Sequence, residues 1–123
     1  MNWSMTAAIL LALAVILGAF GAHGLRGRLD EYSMSVYEKA VFYHFIHALG
    51  ILVVALLPRT GTFAESTAGT TCAILLVGIV IFSGSLYLLA VTGNRMLGAI
   101  TPIGGVAFIV GWLYLAWHLR RIL

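Results

Sequence analysis

The sequence predicts an all-α integral membrane protein, with four transmembrane helices in an antiparallel up-down-up-down bundle. Three observations point there. Four apolar stretches, Trp3–Ala22, Ala40–Leu57, Cys72–Thr92 and Leu97–Trp117, carry no Lys, Arg, Asp or Glu in their interiors. Each approaches the ~20 residues that a helix needs to cross about 30 Å of hydrocarbon. Hydrophobic residues make up 62% of the 123-residue chain and charged residues 9%, against roughly 25% charged usage in soluble domains. Lipid offers no hydrogen-bond partners, so each backbone group must be satisfied inside the protein, and spanning helices achieve this. With their ends included, the spans run over about 3–24, 36–57, 71–92 and 97–118, a single membrane domain of residues 1–123.

The first stretch invites comparison with a signal peptide, since Ala19-Phe20-Gly21 resembles a small-residue cleavage site. No Lys or Arg precedes it, where a signal peptide carries a positive region, and it is expected to stay as a first span. The first loop, Leu25–Lys39, mixes Arg26, Arg28, Asp30, Glu31, Glu38 and Lys39 with Tyr32 and Tyr37. That composition suits an interfacial helical turn leading into the second span, from as early as Met34. Pro58 closes the second span, and Pro58–Thr71 has the Thr, Gly and Ser content of a loop. Gly93-Asn94 is a tight-turn signal that pairs the third and fourth spans as a hairpin. Pro102 falls near the start of the fourth helix, where a helix tolerates it best. No repeat relates the two halves, so an inverted-repeat transporter within one chain has no support.

The formal charge of +3 comes from cations at or beyond the helix ends. Nucleic-acid binding needs a clustered basic face, and none exists. One cysteine, Cys72, excludes an intrachain disulfide and a Cys-based zinc site. Arg59, Arg120 and Arg121 lie on the side of the termini, and Arg26, Arg28, Lys39 and Arg95 on the other. This near tie is tipped toward cytoplasmic termini by the Arg pair beside the last membrane end. Trp3 and Trp117 then share one aromatic belt.

Polar groups inside the spans are placed unevenly. His47 precedes Pro58 by eleven positions, which sets it about 16 Å from that end, near mid-membrane. His44 lies a turn closer to the first loop, and His23 ends the first span on that side. Ser83 and Ser85 are central in the third span, with Tyr87 a turn beyond, and Thr101 opens the fourth. One reading is a polar pocket or cofactor site built from His23, Tyr43, His44, His47, Ser83, Ser85, Tyr87 and Thr101, because ionisable groups inside membranes are costly and often functional. The other is that these groups lock the bundle through interhelical hydrogen bonds, worth about 0.6 kcal/mol each. His118, beside Arg120, reads as interfacial. Gly18, Gly21 and Gly24, with Ala19 and Ala22, form small faces on the first span. Gly104, Gly105 and Gly111 do so on the fourth, letting another backbone approach.

At these residues a family likeness emerges. Gly18-Ala19-Phe20-Gly21-Ala22-His23-Gly24-Leu25, Tyr43-His44 with His47, Phe82-Ser83-Gly84-Ser85-Leu86-Tyr87, Thr101-Pro102-Ile103-Gly104-Gly105 and Gly111-Trp112 occur in this order. Together they resemble the small bacterial inner-membrane proteins of the YgdD/YwdK type, whose animal relative is transmembrane protein 256. The likeness covers essentially the whole chain. Its charge-rich first loop, with Arg26 and Arg28, is a departure that blurs the topology. The resemblance implies a four-helix membrane protein of a family of unknown function, and it carries over no reaction or catalytic residue.

The expected function is therefore that of a non-enzymatic accessory, scaffold or lipid-associated protein, multi-pass in the bacterial inner membrane. Its expected partners are the lipid bilayer and a homo-oligomer or larger membrane complex, with no cofactor, no metal and no nucleic acid. The alternative is a small-solute transporter or channel, or a His-ligated metal or haem protein. Absence of a membrane-centred carboxylate argues against proton-coupled multidrug export, and four peripheral carboxylates leave no catalytic set for a hydrolase. If the first, second and fourth spans surround one cavity, His23 approaches His44, with Tyr43 or Thr101 nearby. His47 then points to Ser83 or Ser85, or to a neighbouring chain.

Overall fold

The computed structural model describes residues 1–122, and its regular structure is helical. Asn2 starts the first span, its side chain accepting from the Met5 N–H at 3.0 Å. The helix Trp3–Phe20 then widens into a π-helical turn, Gly21–Leu25. Asp30 caps the second helix by accepting from the Ser33 N–H at 2.7 Å. This helix runs Glu31–Leu56 and ends in a 3-10 turn, Leu57–Thr60, that contains Pro58. It begins before Met34, because a side-chain oxygen at the cap satisfies the first orphan N–H groups. The polar first turn thus extends the helix beyond its apolar part.

The third span is also longer than its composition suggests. It starts at Glu65 and runs to Thr92, with a π-helical turn at Ile79–Ser83. The Thr- and Ser-rich stretch before Cys72 is therefore mostly helix, not loop. Thr67, Ala68 and Thr71 are buried there, and the Thr71 hydroxyl donates back to the Thr67 carbonyl at 2.9 Å. Packing overrides a weak local preference. Gly93 closes the helix in a left-handed conformation, φ 72°, which glycine adopts without a Cβ clash. Asn94 caps the 3-10 turn Arg95–Ala99, and Thr101–Leu119 completes the fourth span with Pro102 in its first turn.

Trp3–Leu25, Glu31–Thr60, Glu65–Thr92 and Arg95–Leu119 are all long and apolar enough to cross a membrane. Their roles in the bundle differ. The first span packs mainly on the second and the fourth mainly on the third, while the second and third hold the middle. Protein buries 33% and 44% of the most apolar windows of the inner spans, but only 17% and 22% of the outer ones. One core cluster lies toward the termini and includes Ile51, Val54, Cys72, Leu75 and Phe108. The other lies toward the first loop, with Val36, Tyr37, Ala40, Leu86 and Leu89.

Candidate functional site

One face of the second helix, Tyr37, Ala40 and His44, meets Ser83 and Tyr87 of the third span. These residues recur every three or four positions and so line up along each helix. His44 Nδ1 lies 2.9 Å from the Tyr87 hydroxyl, and Ser83 Oγ donates to the Ala40 carbonyl at 2.8 Å. Tyr37 packs its ring edge-on against Tyr87, with centroids 5.3 Å apart. Its hydroxyl donates across to the Leu17 carbonyl of the first span. His44 is 4% exposed, and its Nε2 is buried without a hydrogen-bond partner.

His47, one turn on, points elsewhere. Its Nδ1–H donates to the Tyr43 carbonyl at 2.8 Å, and its ring stacks on Phe108 of the fourth span at 3.5 Å. Tyr43 and Trp112 flank the same stack. The expected approach of His47 to Ser83 or Ser85 is not formed. The intrahelical bond already satisfies one ring nitrogen, and aromatic stacking orients the rest. Ser85 Oγ instead lies 2.6 Å from Thr101 Oγ1 and 2.9 Å from the Phe82 carbonyl, which ties the third span to the fourth.

His23 is exposed on the π-helical turn. Neither ring nitrogen of His44 bonds to it, since Nδ1 serves Tyr87 and Nε2 has no partner. The expected His23–His44 pairing is corrected to His44–Tyr87: His44 is buried and bonded to the third span, whereas His23 is exposed on the turn that ends the first span. The contacts of the polar set are pairwise. They separate into a His44–Tyr87 pair, a Ser83 contact, a Ser85–Thr101 pair and the His47–Phe108 stack. Among the described residues, no three His, Cys, Asp or Glu side chains group as metal ligands.

Close approach at glycines sets the helix spacing. A Cβ on Gly104 would fall 2.7 Å from the Phe82 Cα, against backbone at the π-helical turn. A Cβ on Gly21 would collide with the Tyr37 ring, and on Gly111 it would lie 2.8 Å from a Leu75 methyl. Gly18 is less tight, at 3.4 Å from Val41, and Gly105 meets the Phe82 ring at an ordinary 3.8 Å. Sequence reasoning missed Gly50, which seats Trp112, and Gly78, which seats Phe108. It also left Tyr37 out of the polar set. The available signal was an aromatic at matching depth on another span, opposite each glycine.

At the first-loop surface Arg26 pairs with Glu38 at 3.2 Å, both well exposed. The Ser33 backbone N–H, then its hydroxyl, and more weakly Arg95 hold the Asp30 carboxyl below its ordinary pKa, against a small opposing effect of burial. The Arg95 guanidinium lies over the Tyr32 ring at 4.3 Å, and on the opposite surface Arg120 lies over Trp117 at 3.8 Å.

The family described as "Protein of unknown function (DUF423)" matches residues 17–105. A UPF0382 membrane protein of Staphylococcus epidermidis is 55% identical over 84% of this chain and 82% of its own length. The UPF0382 membrane protein YwdK of Bacillus subtilis is 52% identical over 86% of this chain and 85% of its own. One of Staphylococcus haemolyticus is 50% identical over 88% and 86%. No solved structure matches the chain.

Proposed function

The chain belongs to the DUF423 family, and from that premise we propose that it is a non-enzymatic protein of the bacterial plasma membrane that acts through its helix surfaces. It serves as an accessory subunit, a scaffold or a lipid-associated protein, alone or as a homo-oligomer. The observation that carries this reading is the separation of the membrane-embedded polar groups. His44, Ser83, Ser85, Tyr87 and Thr101 join helices in pairs, which is the work of a bundle lock and not of a reaction centre. Meanwhile Ile9, Leu13 and Ile16 on the first span, and Val106, Ile109 and Leu113 on the fourth, are exposed apolar side chains that need lipid or a partner helix. Native mass spectrometry after mild solubilisation tests it. Oligomers, co-purifying protein or retained lipid are the expected result. A bare monomer together with solute flux in liposomes overturns the reading.

One observation favours the alternative of a His-ligated metal or haem protein, namely the unpartnered Nε2 of His44. An absorption spectrum and metal analysis of the purified protein decide it. A Soret band or stoichiometric metal that is lost in His44→Ala supports ligation, and their absence removes it.

A further inference from the structure

Toward the first-loop side, the second and fourth spans leave between them an open groove of about 350 Å³. Tyr32, Ser35 and Lys39 form one wall, a single helix face with spacings of three and four. Phe82, Leu86 and Leu89 of the third span lie along the other side, and Gly98 keeps the wall of the fourth span low. A Cβ on Gly98 would touch only a Leu89 methyl, at 3.7 Å, so the protein leaves this space unfilled where it had room for a side chain. Deeper in the membrane, the second and fourth spans are joined by the Tyr43–Phe108 and His47–Phe108 ring contacts. The groove is thus shaped to admit a chain from the headgroup level.

We propose that this groove holds an acyl chain of one anionic phospholipid, whose phosphate is met by Lys39 and Arg95. The proposal rests on the lipid-associated form of the function above. Lys39 lines the groove, is exposed, and has no carboxylate within salt-bridge distance, Arg26–Glu38 being the ion pair recorded among the described residues. Arg95 is held at the same mouth by its position over Tyr32, with Asp30 only partly offsetting its charge. An apolar slot with Arg95 over Tyr32 at its mouth and Lys39 about two turns further in complements an anionic lipid, the Lys39 stem lying along apolar surface with its ammonium directed back toward the interface. A second copy fits less well. Two copies in one membrane keep the same orientation, so a two-fold contact through this groove would set Lys39 and Arg95 against their own equivalents at one level.

The test reconstitutes the full chain in vesicles of equimolar phosphatidylglycerol and phosphatidylethanolamine, followed by gentle extraction and native mass spectrometry. The wild type is expected to keep one phospholipid, with phosphatidylglycerol favoured at least about fivefold, the scale of one surface cation. Lys39→Gln combined with Arg95→Gln removes the preference while a lipid is still retained. Gly98→Leu, which fills the groove, lowers retention of either lipid, with helicity and melting temperature checked in parallel. In the unmodified protein, a phosphatidylglycerol carrying a photoreactive acyl chain is expected to label Phe82–Leu89, a readout that needs no variant. Retention of the two lipids at their bulk ratio, unchanged retention in folded Gly98→Leu, or labelling confined to the outer faces overturns the proposal. Loss of the lipid site with oligomers intact leaves the scaffold reading standing. Solute flux with the lipid still bound overturns that reading and leaves the groove.

Discussion

The two halves of the bundle are held together by different means. Toward the termini, Ile51, Val54, Cys72 and Leu75 are fully buried among apolar neighbours, and the glycines at 50, 78 and 111 admit Trp112, Phe108 and Leu75. Toward the first loop, the apolar cluster is threaded by the Tyr37, Ser83, His44–Tyr87 and Ser85–Thr101 hydrogen bonds. Lipid tails are as apolar as leucine, so burial in itself does not draw membrane helices together. One half therefore relies on shape, gaining many small dispersion contacts. The other relies on directional bonds, which add modestly to stability but select one register and rotation. Gly104 against the Phe82 backbone and Gly21 against the Tyr37 ring are places where shape also governs the polar half.

The largest expected effect breaks the shape-held half. Leu75→Ala leaves a cavity beside Gly111 and is expected to destabilise by about 3 kcal/mol, read from reversible unfolding in mixed SDS micelles. A loss below that of Tyr87→Phe would reverse the assigned roles of the two halves. Gly104→Ala follows at about 2 kcal/mol, because the obstructing atoms are backbone and cannot rotate away. Gly111→Ala is expected to cost less, since a Leu75 methyl group can move. Equal costs would remove the distinction between a backbone seat and a side-chain seat.

Tyr87→Phe sharpens the polar half. It deletes one hydroxyl and leaves His44 Nδ1 without its partner, at a cost of about 1–2 kcal/mol. Ser83→Ala removes a donor from a carbonyl, a loss of about 0.6 kcal/mol, the average for such bonds in membranes. If Ser83→Ala proves the more damaging of the two, the His44–Tyr87 pair is not the principal lock. The smallest effect lies outside the membrane, at Asp30. Its carboxyl is held below the ordinary value of 3.8 in the folded protein, so its capping contribution is present well above that pH and lost as pH falls through the folded value. The melting temperature of wild type is expected to fall slightly more between pH 6 and pH 3 than that of Asp30→Asn, which caps without titrating. Parallel profiles would assign no such contribution to Asp30.

Much of this comparison is legible in the sequence alone. The crowding of His44, Ser83, Ser85, Tyr87 and Thr101 into the first-loop half follows from counting residues along helices of known rise. Depth alone did not pair them. Whether His44 meets His23 or Tyr87 depends on rotation about the helix axis and on which spans are neighbours. His47, three residues from His44, faces the fourth span for that reason. Tyr37 lies beside Glu38 and Lys39, so in sequence its position resembles a membrane edge. Pro58–Thr71 has loop composition because Thr, Ser and Gly have weak helix propensity, while burial against the other spans makes its second half, from Glu65, helical.

The sequence by itself determined the class, the number of spans and the polarity gradient along the membrane normal. Each of these depends on chemistry summed along one chain direction, where lipid penalises charge and unpaired backbone residue by residue. Only the tertiary structure decided which helices lie inside, which glycine receives which ring, and that the polar groups meet in separate pairs. These outcomes depend on azimuth and neighbour identity, and with little hydrophobic force between helices they are settled by the steric fit of particular side chains.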